Sequence, residues 1–231
     1  IGHAMVSGIF MQGLYLGMIW WAIGEGVPAS IGGIIAGLQP LLTGAAAFLV
    51  LQERLSRVQI FGLILGFLGI FIAVLPKAFA LEGGDAAIPL YAVVVNMIGM
   101  LAITYGTIYQ KRYVQNTHVL AAVFWQYNGG ALLVLPYALL VEGFHYEITL
   151  QSTLVMAWAV GAISIGAVLL LVMLINRGQV SRAASLIYLV PPLAAIEAWI
   201  LFGERITFLM VVGTIIAVIG VYLTIRKQFR D

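Results

Sequence analysis

A single carboxylate interrupts the apolar stretch 183–203 of this chain, at Glu197. The stretch is long enough for a helix to cross a bilayer, which takes about 20 residues. A charged group in hydrocarbon is costly, so acids at membrane depth usually face a cavity or a partner. Glu197 can bind a proton there or balance the charge of a cationic solute. The alternative is a structural carboxyl group that is hydrogen-bonded to a neighbouring helix.

Prolines and uncharged polar side chains interrupt other apolar stretches. Pro40 and Pro191 each remove a backbone N–H near mid-span and leave the carbonyl four residues earlier without its usual partner. Such carbonyls, with amide, hydroxyl and aromatic side chains, can bind a small neutral or zwitterionic solute, although a kink that serves only packing is the alternative. No arginine lies deep in a span, which argues against a phosphate as the solute. The candidate lining residues are Gln12, Tyr15, Gln39, Pro40, Thr43, Asn96, Thr104, Trp125, Ser164, Tyr188 and Pro191.

Composition decides where these residues must lie. Of the 231 residues, 63% are hydrophobic and 9% are charged, against roughly 45–50% and about 25% in ordinary soluble domains. So few charged groups cannot cover a soluble surface, and the chain therefore lies in a membrane. The net charge of +2 gives no reason to expect nucleic-acid binding, and the absence of cysteine excludes disulfides and thiolate metal sites. Neither a cofactor nor a metal is expected.

Eight apolar stretches can each cross the bilayer. Helices are favoured over barrel strands, because the stretches are long and do not alternate between apolar and polar residues. Nine Lys and Arg residues fall on one side of the resulting bundle and two on the other. By the positive-inside rule, this places both chain ends in the cytoplasm and the protein in the cytoplasmic membrane. The stretches are 3–23, 29–51, 58–76, 88–109, 119–141, 152–175, 183–203 and 208–225.

The sequence repeats itself with an offset of 151 residues. The offset spans five crossings, an odd number, so equivalent helices run through the membrane in opposite directions. Inverted repeats of this kind are typical of secondary transporters, which bind their substrate near the midplane between the repeats. Ser30 aligns with Ser181, and the matches least expected by chance pair Pro40 with Pro191, Glu53-Arg54 with Glu204-Arg205, Gly62 with Gly213, and Gly69 with Gly220.

The repeat assigns one helix face in each half to the cavity. Gln39 and Thr43 lie one turn apart on the second span. Their equivalents Val190 and Ala194 share a stripe of the seventh span with Glu197. We therefore expect this stripe to line a central cavity in both repeats. The alternative is that Gln39 and Thr43 only form hydrogen bonds between helices.

Two segments, 38–74 and 189–225, carry a resemblance to a known family. Each has a mid-helix proline, a Glu-Arg pair at a helix end and a final span that contains glycine. In these features the chain resembles the EamA-type transporters of the drug/metabolite transporter superfamily, over essentially its whole length. The resemblance implies ten helices in two inverted five-helix repeats around a central cavity. With eight spans counted, we expect a first repeat at 1–77 that lacks its first two helices, and a complete second repeat at 88–231.

The leading hypothesis is a secondary transporter that works by alternating access, with proton coupling through Glu197 as a further hypothesis. Export, and an amino acid or related metabolite as cargo, are implied by the resemblance alone. A flippase for lipids or lipid-linked sugars from the same superfamily is the closer alternative. An intramembrane enzyme is the more distant one, since no nucleophile–base pair is found. The expected partners are a small-molecule substrate and the bilayer, and the oligomeric state is left open, with a monomer allowed.

Overall fold

The computed structural model of the chain describes residues 1–51, 56–78, 88–114, 117–143, 147–167, 169–170, 173 and 189–225. These residues form helices joined by short turns, and no strand occurs among them. The helices are α1 (Gly2–Gly24), α2 (Ala29–Ala36), α3 (Gln39–Leu51), α4 (Arg57–Ala78), α5 (Leu90–Tyr113), α6 (Val119–Leu140), α7 (Leu150–Ala167), α8 (Val190–Phe202) and α9 (Phe208–Ile225). The prediction of an all-helical protein is confirmed.

Length and hydropathy assign membrane spans to most of these helices. In the described part of the chain, six helical stretches are long and apolar enough to cross a bilayer, and α2 together with the start of α3 counts as one of them. The two remaining predicted spans correspond to the shorter apolar helices α8 and α9. Tyr188 and the Glu53-Arg54 pair, which the sequence singled out, lie outside the described residues.

The chain divides into two compact units. One contains residues 1–133 and 188–231, and the other contains residues 134–187, so that the boundary falls within α6. In the second unit, α7 begins with a capping box, in which the Thr149 hydroxyl accepts a hydrogen bond from the Ser152 N–H at 3.0 Å.

The core of the first unit is built around α2. Ile31, Ile34 and Ile35 of this helix are fully buried and pack with Met100 of α5 and Met210 of α9 in one apolar cluster. A helix that is apolar on all sides is expected in the interior of a bundle. The second span therefore lies at the centre of this unit, where it can position a site.

Close backbone contacts fix α1 between α5 and α6. A Cβ placed on Gly8 would lie 2.0 Å from the backbone oxygen of Gln126 of α6, and one on Gly106 of α5 would lie 2.5 Å from the Met11 side chain. Small residues at such contacts allow membrane helices to approach closely without side chains between them. Gly8 and Gly106 therefore allow α1 to pack closely against both neighbours.

The contact between α4 and α9 repeats itself under the 151-residue offset. A Cβ placed on Gly62 would lie 2.7 Å from the backbone oxygen of Gly220. A Cβ placed on Gly213, the equivalent of Gly62, would lie 2.5 Å from the oxygen of Gly69, the equivalent of Gly220. Each contact is the image of the other, and the order of the contacts shows that the two helices are antiparallel.

The starts of α4 and α9 are also equivalent. The Ser56 hydroxyl accepts a hydrogen bond from the Gln59 N–H at 3.3 Å, and the Thr207 hydroxyl accepts one from the Met210 N–H at 3.2 Å. Both pairs occupy the same positions in the repeat. A hydroxyl that satisfies an otherwise unpaired N–H in the first turn is a typical helix N-cap.

Candidate substrate site

The second span is broken near its middle. α2 ends at Ala36 and α3 begins at Gln39, with Gly37 and Leu38 forming the turn between them. Pro40 has no N–H and therefore cannot continue the hydrogen-bond ladder of α2. Proline is tolerated in the first turn of α3, because an N–H there would have no partner within the helix. The Gly37 N–H is shared between the Gly33 and Ile34 carbonyls, at 3.2 and 3.1 Å. The kink expected at Pro40 is therefore present as a short turn at Gly37 and Leu38, in which the Leu38 N–H still donates to the Ile35 carbonyl at 2.9 Å.

Pro191 occupies the equivalent place in α8. α8 begins at Val190, the residue equivalent to Gln39, and both prolines of the Pro191-Pro192 pair lie in its first turn. Pro191 is buried against the break in the second span, since its Cγ would lie 2.5 Å from a Cβ placed on Gly37. The turn after α2 is thus in contact with the start of the equivalent helix of the other repeat.

Asn96 is a fully buried amide in this part of the bundle. It lies on α5, and neither its Nδ2 nor its Oδ1 has a hydrogen-bond partner among the described residues. Its Nδ2 would lie 3.8 Å from a Cβ placed on Gly32, so the amide faces the middle of α2. A buried amide without hydrogen-bond partners lowers the stability of the fold by about 1–3 kcal/mol, so fold stability gives no reason for an asparagine at this position.

Tyr15 of α1 lies close to Asn96. It is half-buried on α1 and packs against the central apolar cluster. A Cβ placed on Gly99 of α5 would lie 3.4 Å from the Tyr15 backbone oxygen, and Gly99 is one helical turn from Asn96. α1, α2 and α5 therefore bring Tyr15 and Asn96 to neighbouring positions.

Three other candidates face elsewhere. Gln12 packs over Gly130 of α6, on a different side of α1 from Tyr15. Trp125 packs against a small cluster at the α1–α6 contact. The Thr104 hydroxyl is buried and donates to the Met100 carbonyl of its own helix at 2.7 Å, so this hydrogen-bonding capacity is already used. The interhelical polar contact on this side is the buried bond from the Gln126 amide to the Ser7 hydroxyl, at 3.2 Å.

The remaining candidates fall into three groups. Gln39, Pro40 and Thr43 are half-buried on α3, below the break. Ser164 is half-buried on α7, in the second unit. Glu197 is exposed on α8, on a different side from Pro191, so the described residues do not enclose its carboxylate.

Glu204 forms a polar contact with the start of α2. Its carboxylate accepts hydrogen bonds from the Ala29 N–H at 2.8 Å, the Ser30 N–H at 3.3 Å and the Ser30 hydroxyl. These donors belong to the first turn of α2, so Glu204 caps the start of that helix. Its own helix ends at Gly203, whose φ of 66° is a left-handed C-cap.

Comparison with known proteins identifies the family. The model of the EamA-like transporter family matches residues 2–75 and 90–226. The chain belongs to the EamA-like transporter family. It is a multi-pass membrane protein of transporter type, acting on a small molecule in a bilayer. The recognition made from the two hallmark segments is thereby confirmed.

Two curated relatives are similar over most of this chain. A protein of Salmonella typhimurium named "Probable amino-acid metabolite efflux pump" is 24% identical over 222 residues, which cover 90% of this chain and 71% of the relative. The "Uncharacterized transporter YvbV" of Bacillus subtilis is 25% identical over 206 residues, 87% of this chain and 65% of the relative. The family and these names indicate a transporter rather than an enzyme.

Proposed function

We propose that this EamA-like protein is a secondary transporter that exports an amino acid or a related small metabolite across the cytoplasmic membrane by alternating access. The family supports transport, and the name of the Salmonella relative supports amino-acid metabolites and efflux. The observation that carries the proposal is the unpaired Asn96 amide, buried beside the broken second span.

The chemistry of Asn96 suits an amino acid. An amide offers two N–H donors and one carbonyl acceptor, so it can donate to a carboxylate and accept from an ammonium group. Discontinuous helices in transporters provide further backbone groups at membrane depth, and α5 packs against both halves of the broken span. A zwitterion that fills these positions satisfies Asn96 and avoids leaving a full charge in hydrocarbon.

The repeat supports alternating access. Equivalent glycines form equivalent contacts between α4 and α9, and equivalent residues cap the two helices. We propose that residues 1–77 and 88–231 form two inverted repeats, with both chain ends in the cytoplasm. Rocking of one repeat against the other then exposes Asn96 to each side of the membrane in turn.

Substitution of Asn96 tests this proposal. Asn96→Leu keeps the number and branching of the side-chain heavy atoms and removes the unpaired amide, so we expect the protein to be at least as stable to heat as the wild type. Amino-acid counterflow into proteoliposomes is expected to fall at least tenfold, because the substrate loses its donor and acceptor. Thr107→Val is the matched control on the same helix, because the Thr107 hydroxyl already bonds the Ile103 carbonyl at 2.8 Å.

The two readouts separate a binding function from a structural one. A structural Asn96 predicts that the leucine variant unfolds at a lower temperature and transports in proportion to the folded protein that remains. Full counterflow in a stable Asn96→Leu protein would show that the substrate is bound elsewhere.

A further inference from the structure

The strongest polar contact between α2 and the end of α8 is formed by one carboxylate. The Glu204 side chain receives hydrogen bonds from the Ala29 N–H, the Ser30 N–H and the Ser30 hydroxyl. Hydrogen bonds to an ionised carboxylate are roughly twice as strong as neutral ones. The carboxylate also lies at the positive end of the α2 dipole. We call these three residues the Glu204 clasp.

The rest of the α2–α8 contact is smooth. A Cβ placed on Gly33 would lie 2.3 Å from the Ala194 Cβ, and Gly37 is in similar contact with Pro191. Going from Gly37 to Ser30, the contacts on α8 proceed from Pro191 towards Glu204, so the two helices are antiparallel. Glycine, alanine and proline place no large side chain between the two helices, so that the Glu204 clasp is the polar part of a close apolar contact.

The clasp lies where it can open at low cost. The N–H groups in the first turn of a helix have no partner within the helix and need a side chain or water. Ser30 is fully buried and Glu204 only partly so, which places the carboxylate on the outer edge of the contact. When the clasp separates at the membrane surface, water can satisfy both the carboxylate and the N–H groups that it leaves.

We propose that the Glu204 clasp is the gate that closes one end of the substrate path, and that it separates when the transporter opens on that side. This inference rests on the proposed transport function and names Glu204 and Ser30 as its positioning residues. The proposed topology puts this end outside the cell. The gate contacts α2 at Ala29 and Ser30, and Asn96 of α5 faces Gly32 of the same helix.

Cysteine labelling tests the gate without any substrate. The chain contains no cysteine, so one introduced thiol reports alone. Ala195→Cys places it on the buried side of α8 that faces α2. Intact cells that produce the 231-residue chain are treated with a membrane-impermeant maleimide. The labelling rate is measured for Ala195→Cys alone, with Glu204→Gln added, and with Ser30→Ala added. Glu25→Gln is the matched control, because that carboxylate accepts a hydrogen bond from the Tyr91 hydroxyl of α5 at 2.6 Å.

We expect Glu204→Gln to raise the labelling rate several-fold, because the charge that holds the α2 N-terminus is lost. Ser30→Ala is expected to give a smaller rise, since the two backbone donors remain. The control is expected to label at the background rate. An unchanged rate in a monodisperse Glu204→Gln protein would overturn the gate. If that variant does not fold, an unchanged rate in Ser30→Ala overturns it instead.

The outcome does not depend on the Asn96 experiment. An unchanged labelling rate together with intact counterflow removes the gate and leaves the transport function. A raised rate in a protein that shows no counterflow of amino acids supports the gate and removes the proposed cargo.

Discussion

The side chains of Asn96 and Glu204 differ in how far the fold satisfies their hydrogen bonds. Glu204 receives three hydrogen bonds from α2, whereas Asn96 is fully buried with neither amide atom bonded among the described residues. A satisfied carboxylate at the edge of a contact stabilises the contact. The unsatisfied Asn96 amide, buried on α5, destabilises the fold by about 1–3 kcal/mol, a cost that binding of a solute can offset. The first residue therefore suits a gate and the second a binding site.

Glu197 provides a separate prediction at this scale. Its carboxylate is exposed on α8 and is not part of the Glu204 clasp. If Glu197 couples protons to transport, Glu197→Gln is expected to abolish uptake driven by a pH gradient in proteoliposomes, while substrate exchange continues. The reason is that an amide cannot take up or release the proton. Unchanged pH-driven uptake in the variant would remove Glu197 from the coupling mechanism.

At the scale of elements, glycine contacts determine how the final helices of the repeats pair. A Cβ placed on Gly69 would lie 2.3 Å from the backbone nitrogen of Ala217 and 2.6 Å from the oxygen of Gly213. Backbone atoms cannot move aside as a flexible side chain can. The α4–α9 pair is therefore held at one separation.

Gly69→Ala tests the tightness of this pair. We expect the added methyl group to lower stability by about 1–3 kcal/mol, because it overpacks a backbone contact. Gly17→Ala is the matched control: a Cβ on Gly17 meets nothing within 4 Å, and alanine favours a helix over glycine. Thermal unfolding in detergent measures both. Equal midpoints for the two variants would show that α4 and α9 are less closely packed than described.

The sequence predicted the helices and the break in the second span, because hydropathy and proline act through local chemistry. It did not predict that Glu204 contacts Ser30, since 174 residues separate them and no periodicity relates them. The sequence assigned the stripe of Val190, Ala194 and Glu197 to the cavity-lining side of α8. The buried side of α8 is formed by Pro191, Ala195 and Ala198, and Glu197 lies roughly a third of a turn away from it. Helix periodicity shows which residues share a face, but tertiary packing decides which face is buried.

At the scale of the whole molecule, the central claim is that two inverted repeats form a transporter. The α4–α9 contact supports it, because one half of the contact is the image of the other under the 151-residue offset. Inversion requires more, namely that equivalent residues lie on opposite sides of the membrane. The N-caps Ser56 and Thr207 are equivalent under the offset and both belong to the described residues, so their sides of the membrane can be compared.

The sidedness of these two N-caps is the most direct test. Ser56→Cys and Thr207→Cys are prepared separately in the cysteine-free chain and treated with an impermeant maleimide in intact cells and in inverted membrane vesicles. Inverted repeats with both chain ends in the cytoplasm predict that Thr207→Cys is labelled in cells and Ser56→Cys only in inverted vesicles. Labelling of both positions from the same side would contradict the inverted repeat, and with it the proposed alternating-access mechanism.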